Sequence, residues 1–532
     1  MKRNYFVCGL LALFGSLNMQ AAVDFTVNGI NYSVTDSAVV SVAADTAYKG
    51  AIIIPATVPY DGVDYAVTAI ADKAFYYCTG VTSVTLPESV TELGYGAFRN
   101  CSGMTSINLP TTLEKIGSSA FYGCKSLASI SIPAAVDSIK PYTFFGCAAL
   151  TSVNVPSNVV FVGGSTFANC VELKSVVLPE GLTEIASYTF CNCRKLESVN
   201  IPAGVKQIGD YAFEDCFSLE AITLPEGLTQ LGTATFYLSG LTSLNLPASL
   251  QNITGSTFAG CLALQNISIA DGNPVYSTPA GSNAIIETIV DEKTQNVTYM
   301  LVAGCRNTVI PSIVTEIGRY AFYDCVGLTS IVIPASVVDV DAYAFSGCLN
   351  LKNVEILEGV KSVGDYAFRN CLSLENIEIP STITSISNGT FYGCRALKSV
   401  VLPATVTEVE DYAFANCVAL TDFVCLAETC PKVFLDSFDG TEIENVALRV
   451  PEAAVEAYEL HAVWGLFANI SGIIDGNNVA PNKDAETAID NLKGDAKIVS
   501  VYNLGGQQNA RMQRGINIVR MSDGTTRKVL KQ

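Results

Sequence analysis

The chain has 532 residues, is 49% hydrophobic and carries a formal net charge of −19. That charge argues against phosphate-backbone recognition, which needs clustered Lys and Arg, so no nucleic-acid partner is expected. The hydrophobic fraction does not signal a membrane protein, because past the N-terminus no stretch reaches the roughly 20 apolar residues of a spanning helix.

Lys2 and Arg3 precede an apolar run over residues 5–17 and the small-residue end Ala21-Ala22. This pattern predicts a signal peptide over residues 1–21, hence an exported protein at the cell surface or outside the cell, with no transmembrane segment once the signal is removed. Cys8 lies too early in the run to be a lipid-anchored cysteine. Losing Lys2 and Arg3 takes the net charge from −19 to −21, which favours solubility and cationic or metal-bridged partners. Residues 22–70 alternate polar and apolar side chains and predict a β cap.

From residue 71 to 425 one unit recurs. A cysteine returns behind a phenylalanine every 23 residues at Cys78, Cys101, Cys124, Cys147, Cys170, Cys193 and Cys216, and again at Cys325, Cys348, Cys371, Cys394 and Cys417, with Cys261 between the two runs. A fixed period of this size predicts a solenoid of stacked supersecondary units. In each unit an alternating segment such as Val84-Thr85-Leu86 predicts a short strand with one face inward, and Pro87 ends its pairing because proline has no N–H to donate. Phe98, Phe121, Phe144, Phe167, Phe190, Phe213, Phe236 and Phe258 predict a buried aromatic column on the opposite wall. About fourteen strands would stack at about 4.8 Å. Ser239 replaces one ladder cysteine, and Leu357 replaces one strand-ending proline.

The motif L-x-S-V-x-L-P…V-x-x-I-G-x-x-A-F-x-x-C resembles the BspA-type leucine-rich repeat family, also called treponemal-type or LRR_5. The resemblance implies a leucine-rich repeat horseshoe with a parallel sheet on its concave face. Residues 270–311, with Asn273-Pro274-Val275-Tyr276 and Leu301-Val302-Ala303-Gly304-Cys305, look like that family's longer, hairpin-bearing repeat.

Residues 426–474 predict a C-terminal cap, with a strand at 446–450, a helix opening at Pro451, and Trp464 and Phe467 closing the apolar end. Residues 475–497 are polar and read as a linker. Residues 498–532 predict three short strands in a basic segment (Arg511, Arg514, Arg520, Arg527, Lys528, Lys531) that resembles a type IX secretion sorting domain; the alternative is a small accessory β-module.

Eighteen cysteines in an exported chain raise the question of disulfides. The thirteen ladder cysteines point the same way, one per turn, and act as small buried hydrophobes; parallel side chains suit the disulfide dihedral poorly. Cys425 and Cys430, outside the ladder, are the candidate pair. Cys191-Asn192-Cys193 is not read as a metal site, since Cys193 belongs to the ladder and Cys191 faces outward. His461, the only histidine, is read as cap packing. With no nucleophile elbow, P-loop or H-E-x-x-H, neither an enzyme nor a cofactor is expected.

The concave columns remain. In the first half they are small, polar and uncharged, from Ser83 and Thr85 to Asn266 and Ser268; after the hairpin they carry Val332, Asn353, Glu355, Asn376, Glu378 and Val401, flanked by Lys352, Glu375 and Lys398. Charge beside exposed valine makes the more specific docking surface. The expected partners are therefore extracellular or cell-surface proteins. Family resemblance implies adhesion to host extracellular proteins or to other bacteria; the alternative is a surface glycan- or nutrient-binding protein using the small polar face.

Overall fold

A computed structural model describes residues 23–473 and, further along the chain, the backbone of four strands between residues 498 and 531. The expected leader over residues 1–21 and the linker over 475–497 lie outside the described residues. The chain divides into two units, Met1–Gly472 and Ile473–Gln532.

The first unit is a parallel β-solenoid, and most turns contribute two strands where the repeat pattern indicates one. In one representative turn, Val81–Thr85 is followed by a proline turn closed by Val90 N–H on the Pro87 carbonyl (3.1 Å), then by Glu92–Leu93. Both strands pair in parallel with copies 23 residues on, Ser83 opposite Ser106 and Glu92 opposite Lys115. The third wall has no strand, yet its backbone is also paired from turn to turn: Phe98 N–H donates to the Ala120 carbonyl (2.8 Å) and Phe121 N–H to Thr143 (2.9 Å). Every wall thus satisfies its peptide groups by stacking, as burial requires.

Proline's role is visible where it is missing. Leu357 has the N–H that the prolines lack, and donates it to the Ile333 carbonyl at 3.0 Å, extending the ladder by one residue, as Ala270 and Leu426 do in their turns. The residue before each ladder cysteine sits at positive φ, which explains the run of Asn100, Gly123, Gly146, Asn169, Asn192 and Asp215 there.

The phenylalanines stack inside as two columns. From Phe75 to Phe258 successive rings lie 4.9–6.1 Å apart, and from Phe322 to Phe438 they lie 4.8–5.7 Å apart. The antiparallel hairpin Ala284–Val290 and Val297–Gly304 separates them. Its alternation serves two cores at once: Ile285, Val302 and Ala303 pack with the first, Ala284, Ile286 and Leu301 with the second. Gly304 must lack a side chain, because a Cβ there would fall 2.1 Å from the Phe322 ring.

Stacking begins earlier than residue 71, since Gly50–Ile53 already pairs in parallel with Val81–Thr85. The N-terminal strands Phe25–Val27, Ile30–Asp36 and Val39–Val42 cover the end through Val63–Ile70, which continues onto Glu92–Leu93. At the other end Ala447–Pro451 adds in parallel to Asp422–Cys425. A short 3-10 turn and the helix Val455–Glu459 follow, and the buried Trp464 donates its indole N–H to the Pro431 carbonyl at 2.9 Å. Among the described residues no helix is long and apolar enough to cross a membrane.

The second unit is an antiparallel sheet of Ile498–Tyr502, Gln508–Asn509, Gly515–Met521 and Thr526–Lys531, one strand more than the three expected.

Candidate protein-binding face

The first strands place their outward side chains in columns, one rung per turn. Ser330 lies opposite Asn353 and Val332 opposite Glu355; further along, Asn376 lies opposite Ser399, itself opposite Asp422, and Glu378 opposite Val401, itself opposite Val424. Val332, Asn353, Glu355, Asn376 and Glu378 are exposed, Val332 by 48%.

Beyond Glu378 the face closes. Ser399 is only 5% exposed and donates its hydroxyl to Asn376 Oδ1 (2.6 Å), Val401 is half-buried, and Val424 is 0% exposed. The cap strand causes this: Arg449, from outside the repeats, crosses to Asp422 in a bidentate pair (Nε–Oδ1 3.0 Å, a terminal nitrogen to Oδ2 2.6 Å). Val401 is therefore at the edge of the face rather than exposed on it.

The flanking charges also differ from a set of free contacts. Lys352 Nζ lies 3.0 Å from Glu375 Oε1, and Lys398 Nζ lies 3.2 Å from Glu375 Oε2. Hydrogen bonds and charge from both lysines hold the Glu375 carboxyl below the usual range. These three charges are spent on one another, two lysines sharing one carboxylate. Glu355 and Glu378 have no ion-pair partner among the described residues, and as like charges on neighbouring rungs they repel. A partner's cation would relieve that repulsion.

In the first half the columns are partly engaged in the scaffold. Asn108 and Asn200 accept the N–H of Leu86 (2.9 Å) and Leu178 (2.7 Å) and donate to the carbonyls of the same residues. One apolar rung breaks the polar run: Val177 is 69% exposed.

The cysteines take no part in this face. The seventeen described ones are free thiols, including Cys425, which accepts from the Tyr458 hydroxyl at 3.2 Å, and Cys430, so the staple expected between these two is not formed. Ladder thiols are donors as well as fillers: Cys124 Sγ–H reaches the Phe98 carbonyl of the preceding turn at 3.1 Å, and Cys147, Cys170, Cys193, Cys216, Cys348, Cys371, Cys394 and Cys417 repeat the bond. Each such carbonyl also accepts the N–H of its own turn's cysteine, as Phe98 does from Cys101 (3.1 Å), so both lone pairs are used. Cys191 is buried rather than outward-facing and donates to Glu214 Oε2 at 3.2 Å. His461 Nδ1 accepts the Val463 N–H at 3.2 Å.

Burial pushes the carboxyls of Glu214, Asp215, Glu287, Glu316 and Glu410 upward. A carboxyl raised by folding destabilises the fold above its raised pKa, and that cost disappears as pH falls through it toward the ordinary value near ~4. The thermal midpoint is therefore expected to be higher at mildly acidic than at mildly alkaline pH, a trend that falling negative charge reinforces; scanning calorimetry across that range checks the sign. The opposite slope would mean that groups like Glu375, shifted downward, dominate.

Comparison with known proteins agrees with this geometry. The family model of the BspA-type leucine-rich repeat region matches residues 68–197, 183–309 and 315–444. A leucine-rich repeat protein from Bacteroides ovatus of solved structure is 28% identical, with 75% of this chain and 94% of that one covered and a TM-score of 0.53. A leucine-rich cell surface protein from Faecalibacterium prausnitzii is 27% identical over 75% of this chain and 94% of that one, with a TM-score of 0.48. Among curated proteins none matches. With its period, its aromatic columns and a family match over most of its length, the chain belongs to the BspA-type leucine-rich repeat family.

Proposed function

We propose that this is an exported, non-enzymatic cell-surface protein that binds other proteins through its first-strand face, as an adhesin for host extracellular proteins or other bacteria. The observation that carries the reading is the pair Glu355 and Glu378, unneutralised beside the exposed Val332 on a sheet whose other charges are paired. A rigid sheet has little conformational entropy to lose on association, so modest contacts suffice, and many copies on one cell add avidity. The complement is a partner surface with Lys or Arg around a small apolar contact. The C-terminal sheet, in a basic segment, is assigned to type IX sorting on its sequence resemblance.

The double change Glu355→Lys with Glu378→Lys is expected to weaken binding of a captured extracellular or bacterial surface protein by about 2 kcal/mol or more, roughly thirtyfold, through faster dissociation. Surface plasmon resonance with the full mature chain reads this directly. Unchanged affinity, with an unchanged thermal midpoint, would place the site elsewhere.

A further inference from the structure

The second-strand wall carries a feature that protein binding on the first-strand face does not use. Between the first turns lies an open surface groove of about 610 Å³. It is lined by residues of the second strands Glu92–Leu93 and Lys115–Ile116, by Ser138 of the next, and by Asp72, Tyr95, Glu114, Asp137 and Lys140.

The charges in this groove are mixed and mostly unspent. Glu92 and Lys115 approach only to 3.8 Å, and Asp72 accepts the Tyr95 N–H at 2.6 Å. Glu114, Asp137 and Lys140 form no ion pair among the described residues. A cationic ligand would meet Lys115 and Lys140; an anionic one would meet the carboxylates. A neutral polyhydroxyl ligand suits both, donating hydroxyls to the carboxylates and accepting from the ammonium groups.

Exposed aromatic rings lie along the same wall. Tyr95, 42% exposed, lines the groove. Phe161, 38% exposed, is the rung paired with Ser138, and Lys140 Nζ lies 5.8 Å from its ring centroid. The outward column is otherwise polar: Glu92, Lys115, Ser138, then Glu184, Gln207 and Gln230. Phe161 is the aromatic member of that column, held beside the Lys140 ammonium with part of its ring open to solvent. Together with Tyr95 it gives the apolar ring faces that sugar C–H groups stack on, which the first-strand face lacks. We infer that this groove, continued one rung past its lining to Phe161, is a second binding site, for a neutral oligosaccharide lying across successive turns, with Tyr95 and Phe161 as stacking platforms and Glu114, Asp137 and Lys140 as hydroxyl partners.

The test presents the full mature chain with cellohexaose, xylohexaose, maltohexaose and chitohexaose, and with hexagalacturonate and hexalysine as charged comparators, in isothermal titration. Saturable binding of at least one neutral oligosaccharide is expected, weakened about tenfold or more by Tyr95→Ala and by Phe161→Ala at unchanged thermal midpoint, and untouched by the Glu355→Lys and Glu378→Lys changes. No neutral ligand bound, preference for a charged comparator, or neutral binding indifferent to both aromatic changes would overturn the assignment.

Discussion

Replacing Phe167 with alanine is expected to cost about 3–5 kcal/mol of stability, the range for emptying a buried phenylalanine site. The ring is fully buried and stacks on Phe144 at 5.7 Å and on Phe190 at 5.6 Å, so its loss removes two aromatic contacts and leaves a void in mid-column. Turns are held at fixed spacing by backbone bonds on all three walls, and the void has little freedom to collapse. Phe217→Ala, at an exposed position, should stay within about 0.5 kcal/mol. Native-state hydrogen exchange adds a spatial prediction. Because the hairpin divides the core, lost protection should centre on the turns around Phe167 and leave those from Phe322 to Phe414 near their original values. A loss below about 1 kcal/mol, or protection lost equally on both sides of the hairpin, would contradict the two-column description.

The second large effect concerns thiol chemistry. Burial pushes the Cys78 thiol up to about 11 and the Cys147 and Cys417 thiols up to about 12, from an ordinary value of 9.0. The thiolate is the reactive form, so at mildly alkaline pH these residues hold about 10²–10³ less of it than a free cysteine, before steric exclusion is counted. Iodoacetamide on the folded protein is therefore expected to modify Cys430 first, the one partly exposed cysteine outside the ladder among the described residues, and to leave the ladder intact over hours. Unfolding in guanidinium should release the whole set at once. Fast modification of several ladder residues in the native state, or a non-reduced mass showing bonds between rungs, would contradict the picture of neutral buried thiols, most of them donating to a phenylalanine carbonyl.

The period, the strand-ending proline, the aromatic column and the hairpin repeat are legible in the chain because each repeats at 23 residues or interrupts that repeat. The second strand is not. Two residues such as Glu92-Leu93 show no alternation, and only their register with Lys115-Ile116 makes them a strand. The thiol bonds are hidden for a similar reason, since donor and acceptor are 26 residues apart, one period plus the Phe-to-Cys offset. On the candidate face, the pairing of Lys352, Glu375 and Lys398 has a signal, opposite signs at spacings of 23, that marks a self-satisfied ladder as readily as a docking surface. The closing of the face beyond Glu378 has none, because Arg449 comes from the cap, where no repeat arithmetic applies. Phe161 lies on that second strand and Tyr95 just past it, so the groove they border is as silent in the sequence as the strand itself.

The most direct test of the central claim is a hydrogen-exchange footprint of the full mature chain with a saturating captured partner protein. The account predicts added protection confined to Ser330–Ile333, Asn353–Ile356 and Asn376–Glu378, with the second-strand wall unchanged. Protection absent from those strands and found on another wall or on the caps would contradict it.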